Sequence, residues 1–405
     1  MTASDLTVRT LDQCDAAKTE SEYVDIAQES LLGNSLDQWQ TYLRRIGREN
    51  VRVIHAGQTL VGGLAFYRMQ HVYGGQPIPA AGISGVAIDP ACRGGGVCAT
   101  LLIDTLKELR DEGIPIASLY ASTQHLYRTV GFEQAGTRYD YSLPLRSLPR
   151  PDRTLACTRF ESAPLDALDY AHRARAHATN GNVLRTEGLW DRLIHPYDGR
   201  RCLTYLFGDT HRPDGYVILK QAGRDDGLPA DLIASDYAAN TGAAVRRLMA
   251  LLHDHRSIFG RFRWSGGPDD PLLFMTDELW FEIHEVLRWM LRILDVPQAI
   301  QARGYPTHVG GRCTIRVTDS LFPANNGHWE LEFSGGQCHA RQSNAPEPSQ
   351  KVIGLDIRGL ATLYSGHTTL RQLIRLGQAD GADDQAIDLI DAAFAGPAPW
   401  LPEIY

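Results

Sequence analysis

The sequence has little that would connect it with a membrane, with nucleic acid or with a disulfide-stabilised fold. Among its 405 residues, no apolar run reaches the roughly 20 residues that a membrane-spanning helix needs. The first ten residues contain Asp5 and no apolar stretch, so we expect no signal peptide. The net charge is −8, so the chain has no excess of Lys and Arg to neutralise phosphates, which argues against a nucleic-acid partner. The seven cysteines are odd in number and contain no Cys-x-x-Cys pair, which argues against a disulfide framework or a zinc site and favours a reducing cytoplasm.

The length of the chain and one polar linker predict three folded regions. A chain of 405 residues is too long for a single hydrophobic core. Leu148–Arg153 contains two prolines among polar residues, which predicts an extended linker. We therefore expect domains at 1–148, 152–295 and 296–405.

Hydrophobic periodicity and turn residues predict helices and strands in all three regions. The predicted helices are 20–45, 96–112, 124–130, 243–255, 357–364, 370–376 and 386–394. The predicted strands are 51–54, 60–69, 80–88, 116–121, 216–221, 232–235, 259–264, 313–317, 329–333 and 351–356. Gly113 is expected to end the helix before it, because glycine readily adopts the left-handed conformation found there.

The most informative stretch is the glycine-rich turn between the third strand and the helix that follows. Gly94, Gly95 and Gly96 let the backbone approach a ligand with no Cβ in the way. The next helix directs free N–H groups and the positive end of its dipole at this turn, which predicts a phosphate site. A P-loop is excluded because Val97 follows Gly96 where that motif needs lysine. The match of Gly94-x-Gly96-x-x-Ala99 to a dinucleotide fingerprint is weak, since the turn follows an antiparallel meander.

The second region repeats the strand and helix order of the first but lacks its glycine run. The predicted strand-to-helix turn is Asp236–Gly242, and Thr241 is expected to cap the following helix. We interpret this region as a second copy of the architecture that has lost the cofactor site. The chain ends in a tail with three prolines, which restrict the backbone, and with large apolar residues that favour burial, among them Trp400 and Tyr405.

Two motifs of the first region resemble the GNAT acetyltransferases. They are the turn Arg93-Gly94-Gly95-Gly96-Val97-Cys98 and the helical segment Tyr127-Arg128-Thr129-Val130-Gly131-Phe132. The segments Pro115–Ser122 and Leu294–Pro297 and the three-region length are similar to the Eis-type aminoglycoside acetyltransferases, over essentially the whole chain. The resemblance implies an α+β fold with tandem GNAT acetyltransferase-like domains, the second of them degenerate, followed by a sterol-carrier-protein-like α/β domain.

The resemblance implies acetyl-CoA as the co-substrate and no metal. The residues that it implies for acetyl-CoA binding are Val86, Ala87, Ile88, Arg93, Gly94, Gly95, Gly96, Val97, Cys98, Ala99 and Ser122. The backbone of Val86 and Ile88 is expected to pair with the pantetheine arm as with an added strand. The family's turn usually carries several arginines, whereas this one has only Arg93, so the backbone N–H groups must bind most of the pyrophosphate. Ser122 is equally well explained as the N-cap of the next helix.

The resemblance also implies two catalytic groups. Tyr127 is the implied general acid, because a phenol with a pKa of about 10 is protonated at pH 7 and can donate to a thiolate. The implied general base is the C-terminal carboxylate, here that of Tyr405, which is a weak base unless burial raises its pKa. Each has a structural alternative: a helix tyrosine that only packs its ring, and a frayed chain end.

The implied reaction is direct transfer of acetyl from acetyl-CoA to a primary amine of a cationic substrate, either aminoglycoside-like or a lysine side chain. Asp25, Asp295 and Glu403 are candidates for an amine pocket, but for each of them a surface charge is the favoured explanation. By the same resemblance we expect a homo-oligomer, specifically a hexamer. The alternative is a non-catalytic acyl-CoA-binding or lipid-binding protein that organises an oligomer.

Overall fold

The chain forms two compact units. The computed structural model describes residues 6–14, 16–31, 34–222, 230–343 and 352–405. One unit contains the described residues up to Gly136 together with Trp289–Gly396 and Ile404–Tyr405, and the second contains Thr137–Arg288 and Pro397–Glu403. In the described ranges, no helix combines the length and the apolar character that crossing a membrane would need.

The described residues form strands and helices in the following order. Up to residue 194 they are β1 (Leu6–Thr10), α1 (Ala16–Ser30), α2 (Leu36–Ile46), β2 (Val51–Ala56), β3 (Thr59–Tyr73), β4 (Gln76–Ile88), α3 (Val97–Asp111), β5 (Ile116–Tyr120), α4 (Gln124–Thr129), β6 (Glu133–Pro144), β7 (Cys157–Phe160), α5 (Leu165–His177), β8 (Val183–Leu184) and α6 (Glu187–Ile194). From residue 203 they are β9 (Leu203–Gly208), β10 (Pro213–Ala222), β11 (Ala230–Ala239), α7 (Gly242–Asp254), β12 (Phe259–Gly266), β13 (Glu282–Ile293), α8 (Val296–Ala302), β14 (Gly311–Thr318), β15 (Gly327–Ser334), β16 (Gln337–Ser343), β17 (Ile353–Asp356), α9 (Ile357–Ser365), α10 (Leu370–Arg375), β18 (Ala379–Asp380) and α11 (Asp384–Phe394).

Residues 20–45, predicted as one helix, form α1 and α2 instead. A capping box at Ser35 begins the second helix: its hydroxyl oxygen accepts from the N–H of Gln38 at 3.3 Å, and the Gln38 side chain accepts from the N–H of Ser35 at 2.9 Å. This reciprocal pair satisfies N–H groups that a helix start leaves free, so α2 begins at its own cap. The apolar spacing continues through the break, with Trp39 and Leu43 buried.

The first unit is built on a sheet with the strand order β1-β2-β3-β4-β5, to which Trp289–Ile293 of β13 adds beside β5. The pairs are antiparallel except for β4 and β5, which run parallel. The predicted stripe of four leucines on α3 is confirmed, since Leu101, Leu102, Leu106 and Leu109 are all fully buried against this sheet. Gly113, with φ of +81°, follows the end of α3 as predicted.

The second unit contains a sheet with the order β6-β12-β11-β10-β9-β7, in which β11 and β12 run parallel. The predicted turn at 236–242 is wrong in its first half, because β11 continues through Ala239. Tyr237 packs into the hydrophobic cluster around Leu248, and Ala238 packs into the cluster around Tyr216. Because successive residues are buried on opposite faces of the sheet, the chain stays extended up to the cap of α7.

Residues from 311 onward form a separate sheet with the order β16-β15-β14-β17-β18, accompanied by α9, α10 and α11. The predicted strand 351–356 corresponds to β17, and Lys351 lies outside the described residues. A buried ion pair connects this region with β13. Both oxygens of Asp319 lie 2.8 Å from one guanidinium nitrogen of Arg292 on that strand. The guanidinium also lies against Gly131, where a Cβ would be 2.8 Å from its central carbon.

Candidate active site

The site begins where two parallel strands separate. β4 and β5 pair at Ala80–Gly82 and Ile116–Ser118, and β4 then continues toward Ile88 without β5, while it remains paired with β3 on its other side. Gly85, with φ of +59°, lies in a bulge of β4, and its carbonyl accepts a hydrogen bond of 2.6 Å from the Tyr23 hydroxyl. A Cβ at residue 85 would lie 2.9 Å from that hydroxyl, so both φ and space require glycine there.

The glycine turn is open on its outer side. Gly94 and Gly96 have φ of +80°, and added Cβ atoms at either position would meet no described atom within 4 Å. Glycine is therefore required there by the backbone conformation and not by lack of space. Gly96 is the N-cap of α3, and no side chain among the described residues caps this helix. The first turn of α3 thus directs its N–H groups toward an open surface, an arrangement that suits a phosphate.

The residues beside this turn have different surroundings. Arg93 is exposed, and its Nε donates to the carbonyl of Ile88 at 3.3 Å. That carbonyl also accepts from the Ser30 hydroxyl at 2.9 Å, so its acceptor capacity is already in use. Ala87 is buried and Val86 half-buried, whereas Ser122 is exposed. The N-cap of α4 is Thr123, so the alternative that Ser122 caps this helix is not what the structure has.

Tyr127 lies on α4 and is 5% exposed. Its ring meets that of Phe132 edge to face, with 6.1 Å between the ring centres. Val97 and Cys98, from the start of α3, pack against the same hydrophobic core. Burial raises the pKa of Tyr127 above its ordinary value, and the nearby Cys98 raises it further. Burial also raises the pKa of the Cys98 thiol to about 11, so both groups are neutral at pH 7.

Tyr405 lies over the strands at the point where β4 and β5 part. Its hydroxyl is 2.5 Å from Oγ of Ser118, and its ring centre is 6.1 Å from that of Tyr67. The acidic candidates are placed differently. Asp295 caps α8 and lies 3.6 Å from Arg110, Glu403 is a buried ion-pair partner, and Asp25 is exposed on α1.

The glycines of β4 are a signal that the sequence analysis left unused. Glycine inside a strand weakens it and marks a bulge or a close approach of another group. Gly85 supplies the bulge and Gly82 the close approach of Tyr405. Among the described residues, no group of three or more His, Cys, Asp or Glu side chains could hold a metal ion.

Three family models match the chain in succession. Residues 15–135 and 181–293 each match an acetyltransferase (GNAT) domain, and residues 296–402 match a sterol carrier protein domain. The predicted fold class, two GNAT domains followed by a sterol-carrier-like domain, is confirmed by these matches.

The chain is also similar, over most of its length, to N-acetyltransferases and to their solved structures. The chain is 26% identical over 398 residues to N-acetyltransferase Eis from Mycobacterium bovis, covering 89% of this chain and 90% of that protein. The crystal structure of a GCN5-related N-acetyltransferase from Anabaena variabilis has a TM-score of 0.92 and 31% identity, over 99% of this chain and 100% of that one. A GCN5-related N-acetyltransferase from Kribbella flavida has a TM-score of 0.85 and 27% identity, over 100% of both chains.

Proposed function

The chain belongs to the GCN5-related N-acetyltransferases, and from this membership we propose that it transfers acetyl directly from acetyl-CoA to a primary amine of a cationic substrate. The substrate class is an aminoglycoside-like small molecule or a lysine side chain. One observation carries the proposal. The start of α3, which no side chain caps, and the buried Tyr127 both pack into the same hydrophobic core. Assembly as a homo-oligomer, a hexamer in the Eis-type group, and a cytoplasmic location belong to the same proposal.

In the proposed complex, acetyl-CoA binds along the free part of β4 and over the glycine turn. Strand-like pairing of the pantetheine arm involves the backbone of Val86 and Ala87, and Ile88, whose carbonyl already accepts two hydrogen bonds, borders the arm, with Ser122 near the end of the neighbouring strand. The pyrophosphate binds the N–H groups of 94–99, supported by the positive end of the α3 dipole. Arg93 adds one positive charge at the edge of the turn. The open space over Gly94, Gly95 and Gly96 supports this placement.

Two proton transfers accompany the proposed reaction. The amine nitrogen attacks the thioester carbonyl carbon, a C–N bond forms, and the C–S bond breaks. The Tyr127 hydroxyl gives its proton to the departing thiolate. Burial keeps this hydroxyl protonated at neutral pH, although the raised pKa also makes it a weaker acid than an exposed phenol. The α-carboxylate of Tyr405 takes the proton that the amine loses. The position of the Tyr405 ring beside Ser118, where β4 and β5 part, supports this second role.

The proposal is tested by thiol release from acetyl-CoA with a panel of polyamines, aminoglycosides and lysine peptides, with the mass of each product measured. We expect amine-dependent thiol release and a mass gain of one acetyl group per modified amine. If no amine raises thiol release above the background hydrolysis, the alternative of a non-catalytic acyl-CoA-binding or lipid-binding protein replaces this proposal.

The base is tested by changing only the terminal carboxylate. Expressed protein ligation can supply a chain that ends in Tyr405 carboxamide, which keeps the ring and its hydroxyl, together with a ligated free-acid control. Because general base catalysis typically contributes about 10²–10⁴-fold, we expect the amide to lose at least about 100-fold in kcat. An amide chain as active as the ligated acid would remove the carboxylate from the mechanism.

A further inference from the structure

The ring of Tyr405 lies over a row of three residues that face each other on adjacent strands. Tyr67 of β3 pairs with Gly82 of β4, and Gly82 pairs with Ser118 of β5. The terminal ring is 6.1 Å from the Tyr67 ring, and the terminal hydroxyl is 2.5 Å from Oγ of Ser118. The pairing of β4 with β5 ends at this row. Tyr405 therefore lies where the edge of β4 that faced β5 becomes open to a ligand.

Gly82 provides the space for this ring. A Cβ at position 82 would lie 2.9 Å from two ring carbons of Tyr405 and 2.5 Å from the terminal methyl of Met69. Gly82 is buried and has no positive φ, so no special backbone conformation explains its presence. The close approach of the terminal tyrosine does explain it.

Ser118 is itself held by a buried histidine. Nε2 of His71 lies 2.7 Å from Oγ of Ser118, and both residues have no exposed surface. The imidazole is stacked with both Tyr73 and Trp289, whose ring centres are 5.9 and 5.8 Å away. A serine hydroxyl has one proton and two lone pairs, so it can serve both neighbours at once. The stacked histidine therefore fixes the direction in which Ser118 meets the terminal hydroxyl.

We propose that Ser118, oriented by His71, is a positioning residue that binds the side-chain hydroxyl of Tyr405 and thereby sets the place of the terminal carboxylate. The chain end is recognised through its phenol, and Gly82 leaves the space into which the ring fits. The link to catalysis rests on the proposed function, in which that carboxylate is the base. The anchoring itself does not depend on it.

The first test of this anchor measures kcat in variants that lack the hydrogen bond between Ser118 and Tyr405. A hydrogen bond of this kind contributes about 1 kcal/mol, so Ser118→Ala and Tyr405→Phe should each lower kcat about fivefold. The KM for acetyl-CoA should not change, because neither residue contacts the glycine turn in the proposed complex. The double variant should be no slower than the slower single variant, since both changes remove the same bond. The matched controls are Ser162→Ala and Tyr170→Phe, two exposed residues of the second unit, which should keep full activity.

Release of residue 405 by a carboxypeptidase that accepts tyrosine and phenylalanine alike, followed by mass spectrometry, gives the second measurement. Tyr405→Phe leaves the sheet unaltered, so it tests the anchor even if Ser118→Ala folds poorly. We expect both variants to lose residue 405 several times faster than the wild type and the controls. Unchanged release in Tyr405→Phe would overturn the proposal, whatever happens to kcat. Faster release with unchanged kcat would support the anchor and contradict only the proposed role of the carboxylate as base.

Discussion

The first and second acetyltransferase-like regions both place a helix after a strand of a parallel pair, but they start that helix in opposite ways. In the first, α3 starts at Gly96, which has a left-handed backbone and offers no side chain to the N–H groups. In the second, α7 starts at Thr241, whose hydroxyl oxygen accepts from the N–H of Ala244 at 3.1 Å. A side chain that caps a helix occupies donors that a phosphate would otherwise bind. One residue at the N-cap thus separates a helix start whose N–H groups stay open from one whose N–H groups its own side chain satisfies.

The space where the parallel strands part also differs between the two regions. In the second region, Asp236 near the end of β11 lies 2.9 Å from Arg175 and 2.5 Å from Arg185. Arg185 also lies 2.5 Å from Glu403, and Gly267 lies so close to Trp400 that a Cβ would be 2.7 Å from its indole ring. The corresponding space of the second region is therefore occupied by the chain's own charges and tail, which suits a structural role.

The largest expected effect is on kcat, and it should appear when Tyr127 of the first region is changed but not when Tyr237 of the second region is changed. Tyr127→Phe should lower kcat by about 10²–10⁴-fold with an unchanged KM for acetyl-CoA, because only proton donation to the thiolate is lost. Tyr237→Phe is the matched variant of the second region, where the hydroxyl donates to Asp270 at 2.6 Å. It should keep kcat and lower the free energy of unfolding by about 1–3 kcal/mol. Steady-state kinetics and urea unfolding check both, and near-normal turnover by Tyr127→Phe would exclude it as the acid.

The next effect concerns the buried charges of the second region. Asp236→Asn should lower the free energy of unfolding by about 3–5 kcal/mol, because it leaves buried arginine charge with less compensation. Burial alone would raise the pKa of Asp236, but the charges of Arg175 and Arg185 lower it well below its ordinary value. The stabilisation is thus complete near neutral pH and is lost as the pH falls below that ordinary range. A variant as stable as the wild type at pH 7 would contradict the structural role.

Asp270 predicts a pH dependence of the opposite sign. Burial raises its pKa to about 6, against hydrogen bonds from Tyr237 and from the N–H of Leu272 that lower it. The folded state therefore holds a proton that the unfolded state has already lost between about pH 4 and 6, so folding stability decreases as the pH rises through this window. Relative to Asp270→Asn, the wild type should lose at most ~3 kcal/mol from pH 4 to pH 7. The raised pKa would be contradicted if the difference in unfolding free energy between the wild type and Asp270→Asn were the same at pH 4 and pH 7.

The smallest effect compares the two helix starts directly. Thr241→Ala removes the cap of α7 and should lower the free energy of unfolding by about 1 kcal/mol, with no change in the KM for acetyl-CoA. Gly96→Ala forces a Cβ into the left-handed conformation, which costs about 1–2 kcal/mol. It should also raise the KM for acetyl-CoA, because the strained turn shifts the N–H groups of α3. If KM for acetyl-CoA were unchanged in Gly96→Ala and raised in Thr241→Ala, the start of α7 and not that of α3 would be the binding site.

Local signals in the sequence predicted most of the fold. Periodicity located the helices and strands, and the glycine at 113 and the threonine at 241 marked a helix end and a helix start correctly. Tertiary contacts decided the rest. β11 extends to Ala239 because Tyr237 and Ala238 are buried on opposite faces of the sheet, and no local pattern predicts that burial.

The candidate site was predicted only in part. The glycine turn and Tyr127 were recognisable because their spacing along the chain is fixed. The contacts of Ser118 with His71 and with Tyr405 were not predictable, since they join residues separated by 47 and 287 positions. The domain limits at 148, 152, 295 and 296 and the residues expected to bind acetyl-CoA stay predictions.

That acetyl-CoA binds at the glycine turn of the first region, and not in the second region, is a claim that calorimetric titration with CoA can decide. Gly95 has an ordinary φ, and its nearest described atom would lie 3.9 Å from an added Cβ, so Gly95→Glu should fold normally and repel only a bound pyrophosphate. Gly242→Glu is the matched change at the start of α7, where the new carboxylate would lie near Arg246. We expect one CoA per chain in the wild type and in Gly242→Glu, and no binding in Gly95→Glu. Binding that survives Gly95→Glu or disappears in Gly242→Glu would contradict the claim.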